Sequence, residues 1–154
     1  MEAVCHPSLT MIAQDIELIF AGQEADEGDI DVDGVIEVFN RLKATATKYD
    51  LPMLVGAIQS PRNNFWTREL FAELICGLGG SDYLEPLLIA AQLNLDEGHD
   101  NDGFNACIFE AFHAEPEKFC SKLKELLGRP DFKPRELVRR LLEVCEAEDA
   151  GTSQ

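Results

Sequence analysis

The sequence predicts an all-α protein, a short α-solenoid of HEAT-like helix pairs with about three pairs behind an N-terminal helical cap, folded as one domain over residues 1–154. Three observations carry that prediction. Apolar residues recur at i, i+3 and i+4 along most of the chain, no segment alternates convincingly as a strand would, and helix-sized segments repeat at offsets of 34 and 33 residues.

The elements follow in order. Leu9–Phe20 and Val32–Leu42 are the first amphipathic helices, and the acidic run Glu24–Asp33 separates them, so residues 1–50 form the N-terminal helices and an acidic loop. The stretch PMLVGAIQS (52 to 60) opens the first pair and Phe65–Leu78 completes it. Gly79-Gly80 stand where a C′ cap belongs, and Asp82 with Glu85 fits a capping box that opens Tyr83–Leu95. Phe104–Phe112 follows a polar loop. Pro116 and Pro134 fall at the first turns of the helices Phe119–Leu127 and Leu137–Cys145, with Gly128 as a C′ cap between them. Residues 51–146 thus hold the repeats, and 147–154 are expected to be a disordered tail.

The repeat is read from RELFAELICGLG (68 to 79), DGFNACIFEAFH (102 to 113) and RELVRRLLEVCE (135 to 146). Leu70, Phe104 and Leu137 align, as do Leu74, Ile108 and Leu141, then Ile75, Phe109 and Leu142, then Leu78, Phe112 and Cys145. The preceding helices recur too, PMLVGAIQS against PLLIAAQLN (86 to 94), while the third copy near Phe119–Leu127 needs a register shift. A two-helix unit cannot bury its apolar face alone, so neighbours must stack. The unit is shorter than the roughly 40 to 47 residues of typical HEAT or armadillo repeats and lacks the tetratricopeptide Trp-Leu-Gly-Tyr pattern. An irregular helical bundle is the alternative.

A chain of 154 residues with 45% hydrophobic content can bury a core of its own. Its formal net charge of -16 repels nucleic acid and anionic membrane. The excess is uneven: residues 1–110 hold 20 acidic and 5 basic side chains, residues 111–154 hold 9 and 8. Such a surface either serves solubility or steers a basic partner by complementary potential. Cys5, Cys76, Cys107, Cys120 and Cys145 are odd in number and lack a C-x-x-C pair, so neither a disulfide framework nor a zinc site is expected. The N-terminus lacks a signal-peptide pattern and no apolar run approaches the roughly 18 to 20 residues needed to span a bilayer, so a cytoplasmic protein is expected.

Two segments invite a chemical reading. Asp29 to Gly34 places carboxylates at alternate positions before a glycine, as a calcium loop requires, but Asn40 stands where a bidentate Glu closes such a site. The loop Asp96, Glu97, Gly98, His99, Asp100, Asn101, Asp102, Gly103 is the densest polar cluster. It can be a metal site, a capped helix start, or a recognition edge whose carboxylates pair with a partner's Arg or Lys. The recognition reading is preferred, with no metal and no cofactor. Trp66, the only tryptophan, is either an interface anchor or inter-repeat packing. His6, His99 and His113 are the only histidines and none lies near Ser or Cys in a nucleophile turn. No phosphate loop or paired-carboxylate signature appears, so no catalytic residue is assigned and an enzyme is not expected.

The segment 65 to 119 resembles bacterial HEAT-like immunity proteins, which are encoded beside polymorphic or contact-delivered toxins. Trp66-Thr67-Arg68-Glu69-Leu70, Leu78-Gly79-Gly80 and Glu97-Gly98-His99-Asp100-Asn101-Asp102-Gly103 carry the resemblance, and the acidic His-containing loop is its specific part. It implies a protein that binds a cognate toxin and blocks its active site or substrate access without a cofactor. A basic, nuclease-type toxin would suit the acidity. The expected contact residues are Trp66, Arg68, Asp96, Glu97, His99, Asp100, Asn101 and Asp102. A scaffold or adaptor joining two proteins is the first rival, and a metal protein or hydrolase using the same loop the second.

Overall fold

A computed structural model describes residues 7–24 and 30–152. Among them the chain forms eight α-helices and two short 3₁₀ turns, without a strand. The helices are α1 (Pro7–Gln23), α2 (Val32–Thr45), α3 (Leu51–Ile58), α4 (Phe65–Gly79), α5 (Leu84–Asp96), α6 (Asp102–Ala114), α7 (Pro116–Leu127) and α8 (Arg135–Thr152), with 3₁₀ turns at Lys48–Asp50 and Gly80–Tyr83. The chain divides into two compact units between Leu74 and Ile75, inside α4.

In the first unit α1 packs on α2. Ile12, Ile16, Ile19 and Phe20 of α1 and Val35, Phe39 and Leu42 of α2 are buried, the spacing expected of two helices that each bury one stripe. Asp15 would be costly in that interior as a lone charge. It is 5% exposed and accepts from Arg41 Nε at 3.1 Å and Nη2 at 2.6 Å, a fork geometry that satisfies the carboxylate. The Phe20 ring lies 5.6 Å from the Phe71 ring and 4.8 Å beneath the Arg62 guanidinium. Arg62 also donates to Glu17 at 2.7 Å and to Glu24 at 2.6 Å, closing the α3–α4 turn onto α1.

Those bonds hold the Glu17 and Glu24 carboxyls below their ordinary value of 4.5, against the opposing effect of desolvation. A lowered folded-state pKa means that the unfolded chain takes up protons first. The stabilisation is therefore complete above about pH 5 and lost as pH falls through the folded values. Urea midpoints taken across the acid range are expected to fall less steeply for Arg62→Met than for the parent chain.

The α3–α4 turn is built by two asparagines. Asn63, 8% exposed, donates its Nδ2 to the Ala57, Ile58 and Ser60 carbonyls at 2.6, 3.2 and 3.0 Å, satisfying acceptors that the end of α3 leaves open. Asn64 Oδ1 accepts from the Thr67 N–H at 2.9 Å while Thr67 Oγ1 accepts from the Asn64 N–H at 3.0 Å, a reciprocal cap that starts α4.

In the second unit α7 packs on α8 and on α6, and α5 touches all three. Leu84, Leu87, Leu88, Phe104, Phe119, Leu123 and Val138 are fully or almost fully buried. The Phe112 and Phe119 rings meet edge to face at 5.4 Å across the α6–α7 corner. Lys118–Asp82 at 2.9 Å and Arg129–Glu85 at 2.8 Å link α7 and its following loop to the start of α5. Because Asp82 and Glu85 are used in this way, the expected capping box does not form, and α5 starts without a side-chain cap. Gly80 does take the left-handed conformation, φ 58°, but Gly128 closes α7 with φ -71° and is not a C′ cap.

Three further expectations are corrected. Cys120 and Cys145 are joined in a disulfide between α7 and α8; they lie 25 residues apart in sequence but on the facing sides of adjacent helices. Helix α8 continues to Thr152, well past residue 146, because Glu146 to Ala150 are helix-compatible residues with no breaker among them. The repeat columns also differ in depth. Leu74, Ile108 and Leu141 are all buried, but Phe109 is 39% exposed in the column of Ile75 and Leu142. Helix α4 buries a broad face, whereas α6 buries only the stripe Phe104, Cys107, Ile108, Ala111 and Phe112, and Phe109 lies to one side of it.

The stretch Phe65–Asp96 is long and apolar enough by composition to cross a membrane, with a mean hydropathy of 1.2 in its best window. It is interrupted at Gly80, and half of that window is buried, as helices that line a core are.

Candidate functional site

The loop from Asp96 to Asp102 is fixed at both ends by backbone chemistry. At the end of α5, Gly98 takes φ 85° and the His99 N–H donates to the Asn94 carbonyl at 2.9 Å, while the Gly98 N–H donates to Leu95 O at 3.0 Å. That pair of bonds is a Schellman cap, and glycine is the residue that adopts the left-handed position at least cost. At the other end Asn101 is 7% exposed and its Nδ2 donates to the Ala91 carbonyl at 3.0 Å, tying the start of α6 back to α5. Asn94 beneath the loop is fully buried.

The remaining predicted residues point outward. Asp96, Glu97, His99, Asp100 and Asp102 are all exposed, and Asp96 accepts from Gln92 Nε2 at 2.9 Å on the same helix. Asn101 does not belong with them: its amide is used to hold the loop. A buried asparagine and an exposed one look alike in a run of Asp and Asn, and only the distance of ten residues back to Ala91 distinguishes this one.

Trp66 and Arg68 occupy the first turn of α4, in the unit that ends at Leu74, whereas the loop lies in the unit that begins at Ile75. Trp66 is half-buried. Arg68 is 5% exposed beside a fully buried Thr67, so it does not lie at the surface expected of a contact residue.

The sequence reading overlooked the apolar neighbours of the loop. Leu93 and Leu95, each 41% exposed, stand in the last turn of α5 directly before Asp96. Leu93 and Asp96 also line an open groove of about 360 Å³ with Ile89, Phe132 and Lys133. The signal was present: Leu84, Leu87, Leu88, Ala91 and Asn94 make one buried stripe, and Leu93 and Leu95 fall on either side of it.

Among the described residues no group of three or more His, Cys, Asp or Glu side chains is placed to hold a metal ion, which leaves the metal reading of the Asp96–Asp102 loop without a ligand set. Asp29 of the calcium-like segment lies outside the described residues, as do Cys5, His6 and much of the acidic run. Within that segment, Asp31 is instead the N-cap of α2, its Oδ1 accepting from the Gly34 N–H at 3.0 Å, and Asp33 is in the helix. No protein-family profile, curated protein or solved structure matches the chain.

Proposed function

We propose that the chain is an immunity or inhibitor protein of bacterial origin, working in the cytoplasm on a scaffold of HEAT-like helix pairs. It binds a cognate toxin and neutralises it by occupying the toxin's active site or substrate-binding surface, without catalysis or cofactor. One observation carries the reading: at the end of α5, exposed Leu93 and Leu95 adjoin the exposed Asp96, Glu97, Asp100 and Asp102 on a backbone already capped. Apolar anchors beside a single-sign rim are what a tight protein interface uses, the anchors for affinity and the rim for steering. The net charge of -16 fits a basic partner, such as a nuclease-type toxin whose nucleic-acid surface an acidic inhibitor can cover.

Copurification with the product of the adjacent gene tests the proposal. Reversing Asp96, Glu97 and Asp100 to lysine is expected to weaken capture at least about a hundredfold, two to three charge pairs at roughly 1–2 kcal/mol each. Retained helical content in the variant would show that the loop and not the fold was lost. Capture unchanged by the reversal would refute the site, and capture without protection in a toxicity assay would favour an adaptor.

A further inference from the structure

One stripe of α5 faces an open groove along nearly the whole helix. Glu85, Ile89, Gln92, Leu93 and Asp96 fall at i, i+4, i+7, i+8 and i+11, and all five line the groove of about 360 Å³ whose other wall is the α7–α8 loop, residues 128–134. At about 1.5 Å per residue the stripe is about 16 Å long, roughly three helical turns. Buried Phe132 and Pro134 form the base of the groove, with half-buried Ile89 and exposed Leu93 on the α5 side. At the Glu85 end the two walls are tied together: Arg129 donates to Glu85 at 2.8 Å and to Asp131 at 3.5 Å, so these three charges satisfy one another. The Asp96 end is different. Asp96 accepts from the neutral amide of Gln92, and neither it nor Asp100 and Asp102, exposed in the loop that follows, pairs with a cation among the described residues. Lys133 is the groove's one cation without a carboxylate partner among them.

We propose that this groove seats a basic amphipathic helix of the partner protein, about three turns long, with apolar side chains against Ile89 and Leu93 and Lys or Arg side chains at Asp96, Asp100 and Asp102. The proposal rests on the inhibitor reading above and names the element of the partner that this edge takes. The groove's walls favour a helix. The backbone groups of α5 along this stripe are bonded within their own helix, so an entering segment must satisfy its own N–H and C=O groups. A helix does so internally, with anchors at i, i+4 and i+7, whereas an extended segment would leave those groups unpaired against Ile89, Leu93 and Phe132. Charge selects the kind of helix. The open end presents three carboxylates, so a Lys or Arg one turn from the anchor gains ion pairs there and an acidic helix is repelled. Lys133 opposes the same basic partner from the loop wall.

The probe is a synthetic peptide of about fifteen residues, with leucines at i, i+4 and i+7 flanked by arginines, labelled and titrated with the full chain. Saturable binding is expected. Leu93→Ser and Asp96→Lys are each expected to lower the affinity at least about tenfold, and Lys133→Glu to raise it severalfold. Peptides with the leucines changed to serine, or the arginines to glutamate, are expected to bind at least about tenfold more weakly. All three substituted side chains are exposed, and unchanged helical content and denaturation midpoints in the variants keep loss of binding apart from loss of fold. Absence of saturable binding, an affinity indifferent to Leu93→Ser, or weaker binding by Lys133→Glu would each overturn the proposal. Sedimentation showing that the chain alone self-associates, and that Leu93→Ser abolishes this, would assign the groove to a second copy and overturn it likewise. No toxin enters these measurements. Peptide binding without protection in a toxicity assay would keep the groove and remove the inhibitor function, and protection unaltered by Leu93→Ser and Asp96→Lys would do the reverse.

Discussion

Phe71→Ala is expected to lower stability by about 3–5 kcal/mol, as buried Phe-to-Ala changes do when the surrounding structure cannot collapse into the space. Phe71 is 0% exposed, its ring meets Phe20 at 5.6 Å, and Phe20 is in turn covered by the Arg62 guanidinium. Removing the ring therefore withdraws the backing of a stack that includes the Arg62 bonds to Glu17 and Glu24. Neighbours cannot fill the gap cheaply, because Ala72 and Ile75 on the same helix are themselves fully buried. Chemical denaturation followed by helical signal checks the size of the loss. A cost under about 1 kcal/mol would mean that the first unit has no continuous core at this position.

The second large effect concerns the disulfide. Its loop spans 25 residues, and closing such a loop in the unfolded chain is worth about 3.5 kcal/mol in the chain-entropy account. Reduced protein, or Cys120→Ser, is expected to unfold at correspondingly lower denaturant than oxidised protein. This term belongs to the unfolded chain, so it is expected even where the folded helices keep their places. Paired denaturation curves with and without reductant measure it, and coincident curves would show that the bond contributes nothing.

The all-helical character was legible because helical spacing is a local property. Leu74, Ile108 and Leu141 were placed on core faces by periodicity alone, and all are buried. What local spacing could not supply was pairing between distant residues. The Asp82–Glu85 box is a sound local pattern, but Lys118 and Arg129 reach those carboxylates from the α7 side and take them over. Cys120 and Cys145 looked like small hydrophobes in separate helices, and only the meeting of α7 with α8 makes them a pair. The same limit applies at the loop. Its acidic character was plain, whereas the role of Asn101 depends on Ala91 in another helix and the exposure of Leu93 on how much of α5 its neighbours cover.

The capping of the α5–α6 loop has an evolutionary consequence. Gly98 and Asn101 hold its backbone, and the residues at positions 96, 97, 99, 100 and 102 are exposed. Those five positions can drift together as a partner's surface changes, with the helices unaware of the exchange. Sister proteins answering to different partners would then keep the glycine and the asparagine and differ between them, an address rewritten on an unchanged mount.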